Sequence, residues 1–280
     1  MLSGVLFQGG KENTMRSSNV FWQNVKRISF TKAIASWLLA VFLALAFVPL
    51  TAQAAVSIAS KTTISAASAN GLEDDATQWG IFQDQGSGTG KVVNVSQPSH
   101  DSDKSLELSL LSGSPYVGLH FYRNLASADT ATTFQVNFKF YFPTVTPIQA
   151  LEFTENKWVN NVRYEWALQW DRIGNGGPCP GGNTPQWRIW DGSSGCWRSI
   201  NVSQNLQAGV WHSLQINGNI VNGQVHYTSF QSDSLFKSLG ESFNPVSETG
   251  DKLAVAVQLD SDSVPDPYNV FIDQVNFTWS

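Results

Sequence analysis

The stretch ALEFTENKWVNNVRYEWALQW, residues 150–170, reads as two β-strands joined by a tight turn. Polar and apolar residues alternate on both sides of Asn160-Asn161, and asparagine tolerates the positive φ that a two-residue hairpin turn requires. A turn at these asparagines sets three opposed pairs on one face of the hairpin: Glu152 with Gln169, Thr154 with Ala167, and Asn156 with Glu165. That face is polar, so it is either solvated surface or the floor of a binding groove.

The opposite face of the same hairpin is apolar. Leu151 faces Trp170 and Phe153 faces Leu168, and these side chains should pack into a core. By the same alternation Glu155 belongs to the core side, near the hairpin end, unless a bulge intervenes. The two faces of one strand pair therefore have different predicted roles.

Beyond the hairpin, the chain from Gly71 onward repeats this alternation with turn residues between the segments. Further strands are predicted at 105–110, 116–122, 133–142, 211–217, 224–230, 253–259 and 269–279. Only 232–242, SDSLFKSLGES, suggests a short helix. Many antiparallel strands with almost no helix predict an all-β, two-sheet antiparallel sandwich over residues 71–280.

The N-terminal segment has the pattern of a secretory signal. Basic residues precede an apolar run at 37–48, and the small residues AQA at 52–54 form a cleavage site. A retained membrane anchor is the alternative, but the run is shorter than the roughly 20 residues that span a bilayer. Residues 1–54 are therefore predicted to be removed, with 1–14 as an upstream extension if Met15 is the true start. Residues 55–70 read as a flexible lead-in, with one β-strand as an open alternative.

The composition indicates which classes of partner to exclude and which cellular compartment to expect. A net charge of -5 gives no basic footprint for nucleic acid, and a cleaved signal leaves no membrane association. Cys179 and Cys196 are the two cysteines of a chain predicted to be secreted, so we expect them to form a disulfide. Closing that short loop should stabilise the fold by about 3 kcal/mol.

Tryptophans are concentrated around the hairpin. Six of the eleven lie between Trp158 and Trp197, and Trp166 and Trp170 fall on its core face. The segment QWRIW puts Trp187 and Trp190 on opposite faces, so one of them should point outward. An exposed, rigid aromatic plane suits the apolar face of a sugar ring. The alternative is that all six lie in the core or plug the Gly-rich loop.

Several segments together resemble the concanavalin A-like lectin and glucanase superfamily, a jelly roll of two antiparallel sheets. GVWHSLQI (209–216) followed by VNGQVHYTSF (221–230) is similar to paired strands of laminin-G-like modules in that superfamily. NVFIDQVNFTW (269–279) resembles the closing strand, and NGLEDDATQW (70–79) the opening, of secreted glycan-binding jelly rolls. The resemblance covers most of residues 71–280.

The glucanase branch of the superfamily implies a catalytic Glu-x-Asp-x-Glu on one strand. In this chain the pattern falls on Glu152, Thr154 and Asn156, so only the nucleophile position matches. Glu165 could supply a second carboxylate from the next strand. Positions four apart along a strand, at ~3.3 Å per residue, exceed the 5–5.5 Å that a retaining glycosidase needs and suit an inverting one better. A glycoside hydrolase on a β-glucan-like polysaccharide, or a polysaccharide lyase, using Glu152 with Glu165 is the enzymatic alternative.

The lectin branch implies a metal pair, but Thr154 stands where the metal-bridging Asp belongs. The resemblance instead implies a structural calcium that ties the first strand to the last, with Glu73, Asp103 and Asp273 as ligands. Ordinary surface acids are the alternative reading of those three residues. No other cofactor is expected.

The leading hypothesis is a secreted, extracellular protein that binds a polysaccharide in a Trp-lined groove. A hydrolase or lyase is the first alternative, and a surface or matrix scaffold protein is the second. The sequence leaves the sugar, the linkage and the oligomeric state open. The predicted ligand-binding residues are Glu152, Asn156, Glu165, Gln169, Trp187, Arg188 and Trp190, with the loop closed by Cys179 and Cys196 as one wall.

Overall fold

Strands make up almost all the regular structure of the residues that the computed structural model describes, which are 66–101, 103–174, 179, 181 and 184–280. The predicted signal peptide and most of the predicted lead-in lie outside these residues. None of the helical turns in the described residues is long and apolar enough to cross a membrane.

The strands in chain order are β1 (Ala67–Ala69), β2 (Trp79–Gln85), β3 (Gly88–Val95), β4 (Ser105–Gly113), β5 (Gly118–Leu125), β6 (Thr133–Tyr141), β7 (Ile148–Val159), β8 (Val162–Asp171), β9 (Gln186–Asp191), β10 (Cys196–Ser203), β11 (Trp211–Val221), β12 (Gln224–Ser232), β13 (Leu235–Ser238), β14 (Ser242–Phe243), β15 (Val246–Ser247), β16 (Lys252–Ser261) and β17 (Tyr268–Trp279). Two 3₁₀ turns, Leu72–Asp74 and Ala76–Gln78, lie between β1 and β2.

These strands form two antiparallel sheets, which confirms the predicted sandwich. The back sheet has the order β13-β12-β11-β6-β17-β4-β3, with β1 added on β17 and β14 on β12. The groove sheet has the order β10-β9-β8-β7-β16-β5-β2, with β15 added on β8. The neighbour of β7 on one side is β8, and on the other side it is β16, a strand from the far end of the chain.

The hairpin at residues 150–170 has the predicted register. Asn160 and Asn161 form the turn with φ values of 52° and 62°, the left-handed conformation that asparagine tolerates. Glu152 pairs with Gln169, and Asn156 pairs with Glu165. The alternation of side chains along both strands therefore follows the sequence prediction.

The apolar faces of the two sheets meet in an aromatic core. The ring of Phe153 on β7 lies 5.3 Å from that of Phe138 and 4.8 Å from that of Phe140, both on β6 of the back sheet. Trp166 and Trp170 on β8 are fully buried in the same layer. Each such side chain contributes about 1.5–3 kcal/mol through the apolar area it removes from water.

The predicted helix at 232–242 is wrong, because β13 and β14 occupy this segment and pair with β12. Asp233 adopts a φ of 52° and its Oδ1 accepts a hydrogen bond from the Ser213 backbone NH, 2.8 Å away, so the chain turns back onto the sheet. Leu235 and Phe236 are both exposed and build no buried helical face. In the lead-in, the alternative of one strand is found, because β1 pairs with the end of β17.

The predicted disulfide is confirmed. Cys179 and Cys196 are bonded, with 5.7 Å between their Cα atoms. The bond ties the connection between β8 and β9 to the first residue of β10. The bond therefore lies at the β10 edge of the groove sheet, two strands from β8, which carries Glu165 and Gln169 of the predicted site.

Candidate functional site

A groove of about 1110 Å³ crosses the outer face of the groove sheet. The strands β2, β5, β7, β8 and β16 supply most of its lining, and Trp190 and Trp197 come from β9 and β10. The hairpin contributes its alternate residues, as the sequence predicts: Glu152, Thr154, Asn156, Trp158, Arg163, Glu165, Ala167 and Gln169. The predicted polar face is therefore a groove floor.

Small side chains in the middle of neighbouring strands give the groove its depth. Thr154 pairs with Ala167 on one side and with Ala256 on the other. Ala254, two residues earlier on β16, also lines the floor. Longer side chains stand before and after this row on the same strands, so the middle of the sheet face is left open.

The structure corrects two of the predicted ligand-binding residues. Trp187 is fully buried in the core, where its Nε1 donates a hydrogen bond to Gln204 Oε1 at 2.7 Å. Arg188 is buried and forms an ion pair with Asp171, with Nη2 and Oδ2 2.7 Å apart, and it is not among the described residues that line the groove. Trp190 is the outward member of the tryptophan pair and lines the groove.

One end of the groove, formed by Asp84, Glu152, Gln258 and Asp260, is called the acid end here. Glu152 Oε1 accepts a hydrogen bond from Gln169 Nε2 at 2.8 Å, and the side chains of Glu152 and Asp260 hydrogen-bond to each other. Burial, and then the charge of Asp260, raise the pKa of Glu152 well above its ordinary value. Burial raises the pKa of Asp260 to about 7. The two carboxyls therefore share a proton at neutral pH.

The opposite end, formed by Trp158, Arg163, Glu165, Glu248 and Lys252, is called the ion-pair end. Arg163 lies 3.1 Å from Glu165 Oε1 and 2.8 Å from Glu248 Oε2. Trp158 Nε1 donates to Glu248 Oε1 at 2.8 Å, and Lys252 Nζ lies 4.7 Å from the centroid of the Trp158 ring. Burial raises the pKa of Glu165, although Arg163 opposes that shift.

Aromatic rings stand at both side edges of the groove sheet. On β2, Phe82 is 46% exposed and stacks on His120 with their ring centroids 4.8 Å apart. Trp190 and Trp197 lie at the other edge, with ring centroids 5.2 Å apart. Burial lowers the pKa of His120 to about 4, so its imidazole is neutral at physiological pH.

Sequence reasoning did not identify Phe82, His120, Gln258 and Asp260 as groove residues. Each lies in an alternating segment whose faces the sequence defines, but the place of β2, β5 and β16 beside β7 is not readable from that pattern. Knowledge of the strand order would have identified these residues, because Gln258 pairs with both Glu152 and His120.

The strand positions of the candidate carboxyl pairs do not match a glycosidase. Glu165 stands four residues along the strands from the partner of Glu152, a backbone spacing of ~13 Å at 3.3 Å per residue, which is wider than the carboxyl separation of retaining enzymes and also of the inverting enzymes that the sequence favoured. Glu152 and Asp260 are in hydrogen-bond contact, which is closer than either range. Burial and the charge of Asp260 raise the pKa of Glu152, which opposes the ionised form that a nucleophile needs.

The predicted calcium ligands are brought together only in part. Asp101, Asp103 and Asp273 have carboxylate oxygens within 4.8 Å of one another, and three carboxylates suit a hard cation such as Ca²⁺. Glu73 is not in this group, because it is buried and its Oε2 accepts a hydrogen bond from the Val275 backbone NH at 2.9 Å. Asp101 takes its place in the cluster.

Comparisons with known proteins identify the fold. No protein-family model matches the chain, and no curated protein matches its sequence. Peanut lectin superposes with a TM-score of 0.51 at 10% identity, covering 77% of this chain and 98% of the lectin. The Lotus tetragonolobus seed lectin superposes with a TM-score of 0.50 at 13% identity, covering 76% of this chain and 98% of the lectin. An endo-β-1,4-glucuronan lyase from Trichoderma reesei superposes with a TM-score of 0.45 at 13% identity, covering 70% of this chain and 89% of the lyase.

At these identities the comparisons establish the fold alone. The chain shares the jelly-roll fold of the two seed lectins, which confirms the concanavalin A-like fold that the resemblance implied. The lyase superposes too weakly to support an argument about activity.

Proposed function

We propose that this chain is a secreted carbohydrate-binding protein that holds a polysaccharide in the groove. The observation that carries the proposal is the groove itself, whose 1110 Å³ lies above the 300–1,000 Å³ of ordinary small-molecule pockets. A space of this size across five strands fits a chain of sugars better than a single small molecule.

The chemistry of the lining also matches a carbohydrate. Sugar hydroxyls need both donors and acceptors, and the floor offers amides and carboxyls from Asn156, Gln169, Gln258 and Glu152. The apolar faces of sugar rings need flat aromatic partners, and exposed Phe82 supplies one at the edge of the groove. The shared fold with two seed lectins fits this proposal, but the groove lining is its basis.

Secretion and a structural calcium belong to the same proposal. The signal-like segment at 1–54 and the bond between Cys179 and Cys196 both fit an oxidising, extracellular compartment. Calcium at Asp101, Asp103 and Asp273 would fix the middle of β17 to the loop before β4. Added calcium should raise Tm above the value in a chelator, and Asp273→Asn should remove that rise.

Affinity gels that contain different polysaccharides test the proposal. Retention on at least one gel is expected, and Phe82→Ala should weaken it about tenfold, because one stacking contact is worth roughly 1.4 kcal/mol. Phe236→Ala is the matched control, since Phe236 is 67% exposed but lies on the back sheet. Trp190→Ala with Trp211→Ala as its control makes the same comparison at the other edge of the groove.

The same panel separates the alternatives. Release of reducing sugar or of unsaturated products, abolished by Glu152→Gln in a folded protein, would establish the enzyme instead. Retention that survives both groove substitutions would place the ligand elsewhere. If a broad panel shows neither retention nor turnover, the scaffold hypothesis replaces the proposal.

A further inference from the structure

The groove lining carries more acidic than basic side chains. Two basic groups besides His120, those of Arg163 and Lys252, are found among the described lining residues. The acidic residues of the lining are Asp84, Glu152, Glu165, Glu248 and Asp260. A ligand chain with a carboxylate on every sugar would meet this surface with like charge, which costs affinity.

The two basic groups are both at the ion-pair end. Arg163 is already engaged by Glu165 and Glu248, and Lys252 lies over the Trp158 ring. No described lining residue brings a positive charge to the acid end. His120, whose strand partner is Gln258, is the basic lining residue beside this end, and its imidazole is neutral at physiological pH.

The acid end also has more hydrogen-bond acceptors than donors. Gln258 is 5% exposed and its Nε2 donates to Asp260 Oδ1 at 2.8 Å, which fixes the orientation of the amide. Its Oε1 is buried and accepts no hydrogen bond within the described part of the chain. The carboxyl oxygens of Asp84 and Asp260 add further acceptors. A ligand group that fits here must donate several hydrogen bonds.

We propose that the acid end is a subsite for an amino sugar with a free, protonated amino group, and that the groove disfavours polyuronates. This inference rests on the proposed function and names its ligand class. An ammonium group donates three hydrogen bonds and accepts none, which complements the acid end of the groove. Charge-assisted bonds of this kind are roughly twice as strong as neutral ones.

Binding of the amino sugar should release a proton. In the free protein Glu152 and Asp260 share one, because both are buried and lie in contact. The incoming ammonium keeps its own protons and its positive charge stabilises the doubly ionised pair, so the pKa of the pair falls and the shared proton is released to solvent. A neutral sugar brings no charge and should release none.

Titration calorimetry with matched β-1,4-linked tetrasaccharides tests the subsite. Those of glucosamine, N-acetylglucosamine and glucose differ only at C2, and a glucuronate tetrasaccharide adds the opposite charge. Below the pKa of the sugar amine, the glucosamine form should bind about tenfold tighter than the glucose form, the gain of a charged over a neutral hydrogen bond. Repeating the titration in buffers of different ionisation enthalpy measures the released proton.

Two variants locate the effect. Asp84→Asn alters an exposed side chain and keeps its shape, and Asp260→Asn alters the buried partner of Glu152. Either one should reduce the ratio of glucosamine affinity to glucose affinity, because each removes an acceptor for the ammonium group. Asp251→Asn, an exposed acid just before β16 and outside the groove lining, is the matched control.

The outcomes separate this inference from the proposed function. If the glucose form binds and the glucosamine form binds no tighter, or if glucuronate binds best, the amino-sugar subsite is wrong while carbohydrate binding stands. A preference unchanged in both variants would also overturn the subsite. If no tetrasaccharide and no polysaccharide binds, the proposed function itself fails.

Discussion

The two faces of β7 each carry a carboxyl, but only the one on the groove face has hydrogen-bond partners among the described residues. Glu152 faces the groove, and its carboxyl is hydrogen-bonded to the side chains of Gln169 and Asp260. Glu155, three residues on, faces the core and is 0% exposed, and neither of its oxygens has a hydrogen-bond partner among the described residues. Burial raises the pKa of both carboxyls well above the ordinary value. What differs between the two faces is the set of partners.

Because of this difference, Glu152 belongs to a binding surface, whereas Glu155 lowers the stability of the fold. On the groove face, the acid belongs to a network of amides and carboxyls that a ligand can enter. On the core face, the carboxyl lies between its strand partners Val255 and Trp166, and no hydrogen bond among the described residues offsets its desolvation. Substitutions on the two faces should therefore affect different properties, and the predictions below run from the largest effect to the smallest.

The largest effect is expected from two adjacent residues that point to opposite faces. Phe153→Ala should lower the free energy of unfolding by about 3–5 kcal/mol, because it leaves a cavity between Phe138 and Phe140. Thr154→Ala, on the groove floor, should cost about 1 kcal/mol or less. Urea unfolding measures both. Equal losses would show that the faces are not distinct.

Replacing the buried acid should stabilise the protein. Glu155→Met removes two unpartnered oxygens and keeps the length of the side chain, so the free energy of unfolding should rise by about 1–3 kcal/mol. Polysaccharide retention should not change. Chemical denaturation at neutral pH is the measurement, and a clear loss of stability would mean that the Glu155 carboxyl has a partner in solution.

The hairpin turn should tolerate glycine and resist alanine. Asn161 has a φ of 62°, so Asn161→Ala should cost about 1 kcal/mol, whereas Asn161→Gly should be nearly neutral. Thermal unfolding of the pair measures the difference. Because this turn sets which residues face the groove, an alanine variant as stable as the glycine variant would weaken the register argument.

The last expected effect is on the pH dependence of stability, not on stability at a single pH. The folded-state pKa of Glu155 is raised, so its contribution is fully present below about pH 4.3 and is lost as the pH rises toward the folded pKa. Glu155→Gln should make this decline shallower. Some decline should remain, because burial also raises the pKa of Glu73 to about 7. An unchanged profile from pH 4 to neutrality would contradict the assignment.

Local patterns predicted the hairpin and both of its faces. The asparagine turn fixes the register, and strict alternation then decides which side chains share a face. The same reasoning put Trp187 and Trp190 on opposite faces but could not say which was buried, because that depends on the register of β9 against β8. Once Trp187 pairs with Trp170 of the core, Trp190 must face the groove.

The rest of the site depends on strand order, which the pattern does not contain. β16 lies beside β7 although about 90 residues separate them in the chain, so Gln258 and Asp260 enter the site from far away. β2 and β5 bring Phe82 and His120 in the same manner. The predicted helix at 232–242 was wrong for a related reason, because pairing with β12 decides the structure of that segment.

The central claim is that a polysaccharide occupies the groove face and leaves the core face untouched. Labelling the tryptophans with fluorine lets NMR report on both faces at once, with resonances assigned by single Trp→Phe substitutions. Adding a retained polysaccharide should shift the resonances of Trp158, Trp190 and Trp197 and leave those of Trp166, Trp170 and Trp187 in place. Shifts confined to Trp211 and Trp279 of the back sheet, with the polysaccharide bound, would contradict the account.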